Sequence, residues 1–528
     1  MKQRLLPLFL TGALLVVVAA GFHHYRATLW AGDEKHTDKT QPAAQKPTQA
    51  PPSNTPPKKV EIALDKATDV ALPKIANDLE PAVFKTADGK AGWVVRIPGG
   101  RPIATPAFAD GMVFVGGGYG SHEFYAFNAE TGDLVWKMQT TDDGPTAAVV
   151  EAGYVAFNTE SCTLIVVDEK TGKVIWQEWL GDPLMSQPAI SKGRLFIAYP
   201  AGQGGHGQQS NDVMQNESVQ KESVAPKHAA GSHVLLAVDL KTGRHLWEQE
   251  ITGDVISAPV VSGDNVYFTC FDGTSFALNA EDGKLLWKKM DSATSAPVIA
   301  DGQVLITRRE QIAATNYEGL TRLDLKAGEN KDKALIAKDK ADYLNAGNGG
   351  GVAITTEAQG ALDSGVGFGN APASAKLDAA KENVGVATVA GAWAYQGSRA
   401  AYSKGQMLNA QGHNLNSINA ENGRANWQAE VTGAKVNGNA QVFSPPALGR
   451  DYMYLSSAWG HLVSVRQKDG SVGFNYFFKQ PMVFQPALAN GNVYAGTGQG
   501  LVICLKTGNA DADGWYEWGG NAQHNKAQ

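Results

Sequence analysis

Three histidines are the residues in this sequence whose type most directly permits metal chemistry. His206, His228 and His233 fall within one short stretch, and imidazole is a common ligand of zinc and copper. Their spacings of 22 and 5 residues match no short metal-ligand motif. We therefore favour solvated loop histidines over a metal site and assign no metal ligands.

A second group of residues could contact a partner molecule. Arg308 and Arg309, followed by Glu310, could hold an anionic group through paired hydrogen bonds, although ion pairs at a rim are the simpler interpretation. Trp459 and His461 could stack on a peptide or a ring, although ordinary packing is simpler. Arg308, Arg309, Trp459 and His461 are our candidate partner face.

Two further patterns fail the tests for catalytic or cofactor motifs. The run Gly347–Gly351 has no evident strand before it and no helix after it, as a phosphate-binding loop requires, so a flexible loop is favoured. Cys162, Cys270 and Cys504 are too far apart for redox, zinc-knuckle or c-type haem motifs. We expect buried thiols and assign no catalytic residues.

Composition and the N-terminus constrain the location of the protein. The 528-residue chain has a net charge of −6 and no basic block in its folded part, which argues against nucleic-acid binding. Lys2 and Arg4 precede an 18-residue apolar run, Leu5–Phe22. This pattern predicts an export signal within residues 1–31, either cleaved or kept as an anchor in the inner membrane.

The segment that follows predicts a tether. Residues 32–83 begin with a stretch rich in proline, lysine, glutamine and threonine that cannot bury a core. We interpret this segment as a linker and lead-in to the folded body. The bulk of the chain is then periplasmic, either tethered to the inner membrane or soluble after cleavage.

The elements that position all these residues are set by a repeat. A turn glycine is followed four residues later by an aromatic residue, and Asp or Asn usually stands four residues before the glycine. The aromatic positions are Trp93, Trp136, Trp176, Trp247, Trp287, Trp427 and Phe474. A degenerate copy has Gly328 and then Asp332 where the aromatic should be. We predict that the aromatic rings dock each unit on the next.

A second repeated element sets the number of units. Eight strand starts, six of which contain Pro followed by Ala or Val, alternate with the turn motif, and the regular spacing is 40 residues. The weaker starts include one at Val386. Four strands in each such unit predict an all-β, eight-bladed propeller. The last unit lacks an outer strand, which the segment around Trp93 supplies, so both chain ends close the ring.

Two insertions interrupt the period. Residues 201–232 separate the second and third strands of the third unit, and residues 339–383 follow the fifth unit. In an up-and-down blade, these two kinds of connection emerge on the same face. We therefore place both insertions, and the function, on that face of a propeller spanning residues 84–528.

The repeat resembles that of the quinoprotein-like propellers. Asp168–Trp176 fits the family motif best, the likeness covers about residues 84–520, and the tail from Trp515 to His524 is similar to a segment beside the ring closure. One branch of this family contains PQQ-dependent alcohol dehydrogenases that bind calcium and carry adjacent cysteines. The other branch, which is BamB-like, has no known cofactor. This chain has no adjacent cysteines, so the resemblance implies the second branch and no cofactor.

These observations lead to one preferred function and two alternatives. We expect an exported, non-catalytic scaffold that binds envelope proteins or peptides and is itself monomeric within a complex. Its partners would dock on the insertion face or add a strand to a blade edge. The alternatives are a divergent PQQ-dependent alcohol dehydrogenase that uses calcium, and a small-ligand sensor or carrier.

Overall fold

Eight sheets follow one another around a closed ring in the computed structural model. The structure describes residues 57–160, 163–181, 186–200, 233–312, 315–339, 400–411, 413–434, 436 and 442–527. The inner strand of every sheet contacts the inner strands of both neighbouring sheets. This arrangement confirms the predicted eight-bladed, all-β propeller.

The strands are numbered in chain order. The first ten are β1 (Lys58–Ala63), β2 (Thr68–Asp69), β3 (Ala82–Lys85), β4 (Ala91–Arg96), β5 (Ala107–Ala109), β6 (Met112–Gly116), β7 (Glu123–Asn128), β8 (Leu134–Gln139), β9 (Val149–Glu151) and β10 (Tyr154–Asn158). They are followed by β11 (Thr163–Asp168), β12 (Val174–Trp179), β13 (Ala189–Ser191), β14 (Arg194–Pro200), β15 (His233–Asp239), β16 (His245–Ile251), β17 (Val260–Ser262), β18 (Asn265–Thr269), β19 (Thr274–Asn279) and β20 (Leu285–Met290).

The remaining strands complete the ring. They are β21 (Val298–Ala300), β22 (Gln303–Ile312), β23 (Thr315–Asp324), β24 (Asn330–Asp339), β25 (Ala400–Ser403), β26 (Gln406–Gln411), β27 (Asn414–Asn419), β28 (Ala425–Thr432), β29 (Ala447–Leu448), β30 (Tyr452–Ser456), β31 (His461–Arg466), β32 (Val472–Phe477), β33 (Ala487–Ala489), β34 (Asn492–Gly496) and β35 (Leu501–Lys506). A 3-10 helix spans Leu64–Lys66.

Blades 1 to 7 each take four consecutive strands, from β5–β8 to β29–β32. Blade 8 combines β33, β34 and β35 from the C-terminal end with β4 from the N-terminal end. Cys504 on β35 pairs antiparallel with Trp93 on β4. The ring is therefore closed by strands from both ends of the chain.

Residues in the middle strands alternate between the two faces of each blade. On β6, Val113 and Val115 join the apolar cluster shared with blade 8, whereas Phe114 joins the cluster shared with blade 2. This period of two follows from the pleat of a strand that is buried on both faces. The core therefore consists of apolar layers between neighbouring blades.

Asp and Asn side chains hold the repeated turns in place. The Asp168 carboxylate accepts hydrogen bonds from the backbone N–H and the hydroxyl of Thr171, at 2.9 and 2.7 Å. The next residue, Gly172, has a φ of +67°, and a Cβ there would lie 2.5 Å from the Trp136 ring. Only glycine meets both requirements, which explains why the turn glycine and the tryptophan recur together.

The docking indoles donate hydrogen bonds to the following blade. Each indole N–H reaches a backbone carbonyl just beyond the third strand of its neighbour. The pairs are Trp93 with Ala129 (3.1 Å), Trp136 with Glu169 (2.9 Å), Trp176 with Leu240 (2.7 Å), Trp247 with Ala280 (3.1 Å), Trp287 with Leu325 (3.2 Å) and Trp427 with Gln467 (2.8 Å). Phe474 has no such donor, and its ring lies 4.8 Å from that of Tyr476.

The degenerate fifth blade uses a different donor. Asp332 occupies the tryptophan position and pairs across the strands with Arg322 on β23. The Arg322 guanidinium donates to the carbonyl oxygen of Ala420, which corresponds to the carbonyls that accept the indoles elsewhere. The contact between blades 5 and 6 therefore replaces a large apolar ring with a cation.

The N-terminal segment is part of the ring from residue 58 onward. β1 runs parallel to β28 on blade 6, β2 runs parallel to β32 on blade 7, and β3 pairs with β4 on blade 8. The sequence interpretation placed residues 32–83 in a linker and lead-in. Residues 58–69 instead cover two blade edges, because Ile62 and Leu64 supply apolar side chains that the core buries.

Two other sequence predictions concern segment boundaries and the membrane. The inner strand of blade 6 is Ala400–Ser403, whereas the sequence predicted its start at Val386. The export segment within residues 1–31, including Leu5–Phe22, lies outside the described residues. In the part of the chain that is described, no helix has the length and apolar character needed to cross a membrane.

Candidate partner-binding face

The first insertion leaves the ring between two strands of blade 3. Pro200 at the end of β14 pairs with His233 at the start of β15, and residues 201–232 connect them. His206 and His228 fall in this connection, outside the described residues. His233 is buried, with 5% of its surface exposed.

The second insertion connects the outer strand of blade 5 to the inner strand of blade 6. β24 ends at Asp339 and β25 begins at Ala400. Residues 340–399, which include Gly347–Gly351, lie outside the described residues. The structure therefore fixes where both insertions leave and re-enter the ring.

Isolated β-bridges show that the two kinds of connection share one face. Val255, Ala293 and Phe443 precede the inner strands of blades 4, 5 and 7. Val255 and Phe443 pair with Cys270 and Ser457, each the first residue after the second strand of its blade, and Ala293 pairs with Arg308 in the second half of the longer strand β22. The ends of both connection types are thus adjacent, and both insertions emerge on this side, which we call the insertion face.

Arg308 lies inside the insertion face and not on its rim. Only 4% of its surface is exposed, and its backbone forms the bridge to Ala293. The preceding residue, Thr307, contacts the hydroxyl groups of Ser295 (2.5 Å) and Thr294 (3.2 Å). The side chains of Arg309 and Glu310 lie outside the described residues.

Trp459 and His461 share one tight turn of blade 7. The Ser457 hydroxyl accepts hydrogen bonds from the backbone N–H groups of Trp459 (3.2 Å) and His461 (3.1 Å). His461 is buried and stacks on Phe477 at 4.6 Å, whereas Trp459 remains half-buried. The structure therefore brings Trp459 and His461 together, while Arg308 lies two blades away.

An acidic corner between blades 1 and 2 was not identified from the sequence. The Asp142 carboxylate accepts hydrogen bonds from the hydroxyls of Thr159 and, at 3.3 Å, Thr163. The neighbouring Glu160 is 6% exposed, and burial, together with the carboxyl group of Asp143, raises its pKa to about 9. Asp142 and Asp143 lie between β8 and β9, whereas Glu160 lies between β10 and β11. No local sequence motif therefore predicts that these acids meet.

The C-terminal tail crosses the centre of the ring near its opposite face. Backbone carbonyls of the tail accept hydrogen bonds from the middle residues of four inner strands. The donor and acceptor pairs are Leu488 to Trp515 (2.6 Å), Phe108 to Tyr516 (2.7 Å), Ile190 to Ala522 (2.8 Å) and Val261 to Gln523 (2.9 Å). The tail thereby joins blades 8, 1, 3 and 4.

Two titratable side chains of the tail are buried at this crossing. Burial raises the pKa of Glu517 well above its ordinary value, and the backbone N–H of Val150 on blade 2 partly opposes that shift. The His524 ring stacks on Trp518 at 3.7 Å, and its two nitrogens lie 2.9 Å from the carbonyl oxygens of Trp518 and Pro188. Burial lowers the pKa of His524 to about 4.

The described residues contain two buried free thiols and no cluster of side chains that could hold a metal ion. Among these residues, no group of three or more His, Cys, Asp or Glu side chains could hold a metal ion. Cys270 and Cys504 are buried in blades 4 and 8, where burial raises the pKa of both thiols. Cys162 lies outside the described residues.

Comparison with known proteins gives a family match and several distant relatives. A family model described as outer membrane protein assembly factor BamB matches residues 80–198, 223–348 and 385–510. An outer membrane protein assembly factor BamB of Yersinia pestis is 24% identical over 247 residues, which cover 42% of this chain and 55% of the relative. A tetrathionate hydrolase of Acidithiobacillus ferrooxidans is 25% identical over 246 residues, covering 44% of this chain and 46% of the relative.

This chain spans about half the length of these relatives. Among solved structures, BamB from Moraxella catarrhalis superposes with a TM-score of 0.49 at 12% sequence identity. That superposition covers 80% of this chain and 98% of the other.

Proposed function

The chain belongs to the family of the outer membrane protein assembly factor BamB, and from this premise we propose that it is an exported, non-catalytic scaffold. It binds other proteins while they are assembled at the cell envelope. The observation that carries this proposal is that both interruptions of the repeat leave the ring on one face, after Pro200 and after Asp339.

The contrast between the repeats, which form the ring, and the insertions, which lie outside the repeat pattern, supports a binding role. The repeated turns and indoles connect one blade to the next, so they are committed to the ring. The insertions take no part in that sequence pattern, and both leave the ring on one face. Half-buried Trp459 lies on the same face and offers an aromatic contact of the kind that is enriched at interfaces.

The proposed location follows from the N-terminal sequence. Lys2, Arg4 and the apolar run Leu5–Phe22 direct export, and the run stays in the inner membrane as an anchor or is removed as a signal. The propeller works in the periplasm, with envelope proteins or peptides as partners and as a monomer within the complex.

Site-specific photocrosslinking in cells tests this proposal. A photoreactive amino acid at Trp459 on the insertion face is compared with one at Lys192, an exposed residue of a turn on the opposite face. We expect specific envelope-protein adducts at position 459 and none at 192. Equal labelling at both positions, or no adduct at either, would contradict the proposal.

The two alternative functions predict different responses of the purified protein. A PQQ-dependent dehydrogenase would take up PQQ with calcium, gain quinone absorbance and reduce a dye with alcohols. A sensor or carrier would show a raised melting temperature with one member of a metabolite panel. We expect neither response, and a positive result in either assay would replace the scaffold proposal.

A further inference from the structure

The N-terminal segment shows how this propeller accepts an added strand. β1 lies parallel to the outer strand of blade 6, with Lys58 opposite Trp427 and Ala63 opposite Thr432. Ile62 is fully buried by this pairing, and the Glu61 carboxylate accepts a hydrogen bond from Thr432 at 2.8 Å. A six-residue strand with alternating apolar side chains is therefore a suitable occupant of a blade edge.

The chain covers only some of its own outer edges in this way. β1, β2 and β3 occupy the edges of blades 6, 7 and 8. In the described residues, the outer strands of blades 1 and 4 end their sheets with no added strand. Such an edge presents unpaired backbone N–H and C=O groups that can accept another chain.

The edges of blades 1 and 4 share a distinctive surface. On β8, Leu134 and Val135 are 36% and 47% exposed and precede the buried Trp136. On β20, Leu285 and Leu286 are 43% and 40% exposed and precede the buried Trp287. An exposed lysine follows each tryptophan, namely Lys137 and Lys288. Each edge thus combines an exposed apolar pair with a cation.

The other two outer strands with described side chains and open edges differ. On β12, Val174 and Ile175 are only partly exposed. β16 carries Glu248 and Glu250 beyond its tryptophan, so its charge has the opposite sign. The combination of exposed apolar residues and lysine is therefore specific to blades 1 and 4 among these four.

The lysines determine which occupant fits. The Lys288 side chain lies over the ring of Phe276, its cross-strand neighbour on β19, with Nζ 5.2 Å from the ring centre. In the parallel register of β1 on blade 6, one residue of the added strand lies directly opposite this position, as Lys59 lies opposite Gln428. An acidic residue there would pair favourably, whereas the same edge of a second copy, paired parallel and in register, would place lysine opposite lysine.

We infer that the outer edges of blades 1 and 4 bind extended segments of partner proteins in which acidic and apolar residues alternate. Binding occurs by strand addition, in the parallel sense that β1 adopts on blade 6. Backbone hydrogen bonds hold the segment, the apolar pair contributes buried area, and the lysine selects an acidic residue. This inference rests on the proposed scaffold function and specifies the type of partner segment that the scaffold binds.

A charge-reversal experiment on the full chain tests the inference. The probe is a short fluorescent peptide that alternates aspartate with valine, and its binding is measured by fluorescence anisotropy. We expect the double variant Lys137→Glu/Lys288→Glu to weaken binding about tenfold, because an attraction becomes a repulsion at each edge. A peptide with lysine in place of aspartate should then prefer the double variant.

Matched controls locate the effect. Lys173→Glu/Lys192→Glu changes two exposed turn lysines and should leave peptide affinity unchanged. Hydrogen exchange should show slower exchange in β8 and β20 when the peptide is bound. Equal weakening by both double variants, slowed exchange elsewhere, peptide-independent self-association through β8 or β20, or no binding at all would overturn the inference.

The outcome is separable from that of the scaffold proposal. If crosslinking at Trp459 succeeds and the peptide experiment fails, the scaffold stands and its clients do not use these edges. If crosslinking at Trp459 fails while peptide binding is lost only in Lys137→Glu/Lys288→Glu, the edges bind segments and the insertion-face proposal is wrong.

Discussion

The Arg322 guanidinium of blade 5 donates a hydrogen bond to the backbone carbonyl of Ala420 in blade 6. Between other blades, the corresponding carbonyl accepts its hydrogen bond from a tryptophan indole. Asp332 stands where the tryptophan would be, and Arg322 lies directly across the strand pair from it. In blade 5, Arg322 on the third strand therefore makes the hydrogen bond that a tryptophan on the fourth strand makes in other blades.

Arg322→Ala should destabilise the ring at this contact. The carbonyl oxygen of Ala420 loses its charged donor, which typically costs about 1.5–3 kcal/mol in unfolding free energy. Thermal unfolding of the variant should show a lower melting temperature, with Arg322→Lys intermediate. Arg424→Ala, at an exposed turn position of blade 6, is the control and should behave as the wild type.

Trp427→Phe separates the ring of a docking tryptophan from its N–H group. The phenyl ring retains most of the packing, but the carbonyl of Gln467 loses a donor at 2.8 Å in a buried site. We expect a loss of about 1–3 kcal/mol, and a larger loss of about 3–5 kcal/mol for Trp427→Ala. Urea unfolding followed by tryptophan fluorescence measures both, and a Trp427→Phe variant as stable as wild type would show that the hydrogen bond contributes nothing.

Glu160 should make the protein less stable as the pH rises. Its native pKa is about 9, against an ordinary value of about 4.5. Between these values the unfolded chain releases a proton that the native state keeps, so stability falls with increasing pH. In Glu160→Gln, urea midpoints between pH 5 and 8 should fall less steeply than in wild type, and the exposed control Glu281→Gln should retain the wild-type slope.

His524 should have the opposite pH dependence. Its native pKa is about 4, against an ordinary value of about 6.5. Between these values the unfolded chain binds a proton that the native state rejects, so stability falls as the pH drops from 6.5 towards 4. His524→Phe should be less stable at pH 7, where it loses the carbonyl contacts, but should lose less stability on acidification. A wild-type acid slope in this variant would show that His524 does not control the effect.

The repeat made most of the fold predictable, because its signal is local. Gly172 must have a positive φ and must leave room for Trp136, so the two residue types recur at fixed spacing and count the blades. The start of the sixth blade was misplaced at Val386, since its inner strand at Ala400–Ser403 lacks the proline that marks other starts.

Contacts between distant parts of the chain were not predictable. The hydrogen bond from the Thr432 hydroxyl to the Glu61 carboxylate joins residues 371 positions apart. The sequence around Glu61 contains no motif that predicts pairing with blade 6. The acidic corner likewise depends on two connections meeting in space. Among the candidate face residues, His461 is buried and Trp459 is half-buried, a distinction that their turn geometry sets and their sequence does not.

The direction of β1 has a mechanical consequence. Lys58 lies opposite Trp427, and its ammonium group donates to the carbonyl of Asp469 in a turn on the face away from the insertions. The polypeptide therefore enters the disc at its perimeter and from that far side. A force applied at Lys58 along the strand direction would load the six residue pairs of β1 and β28 together in shear.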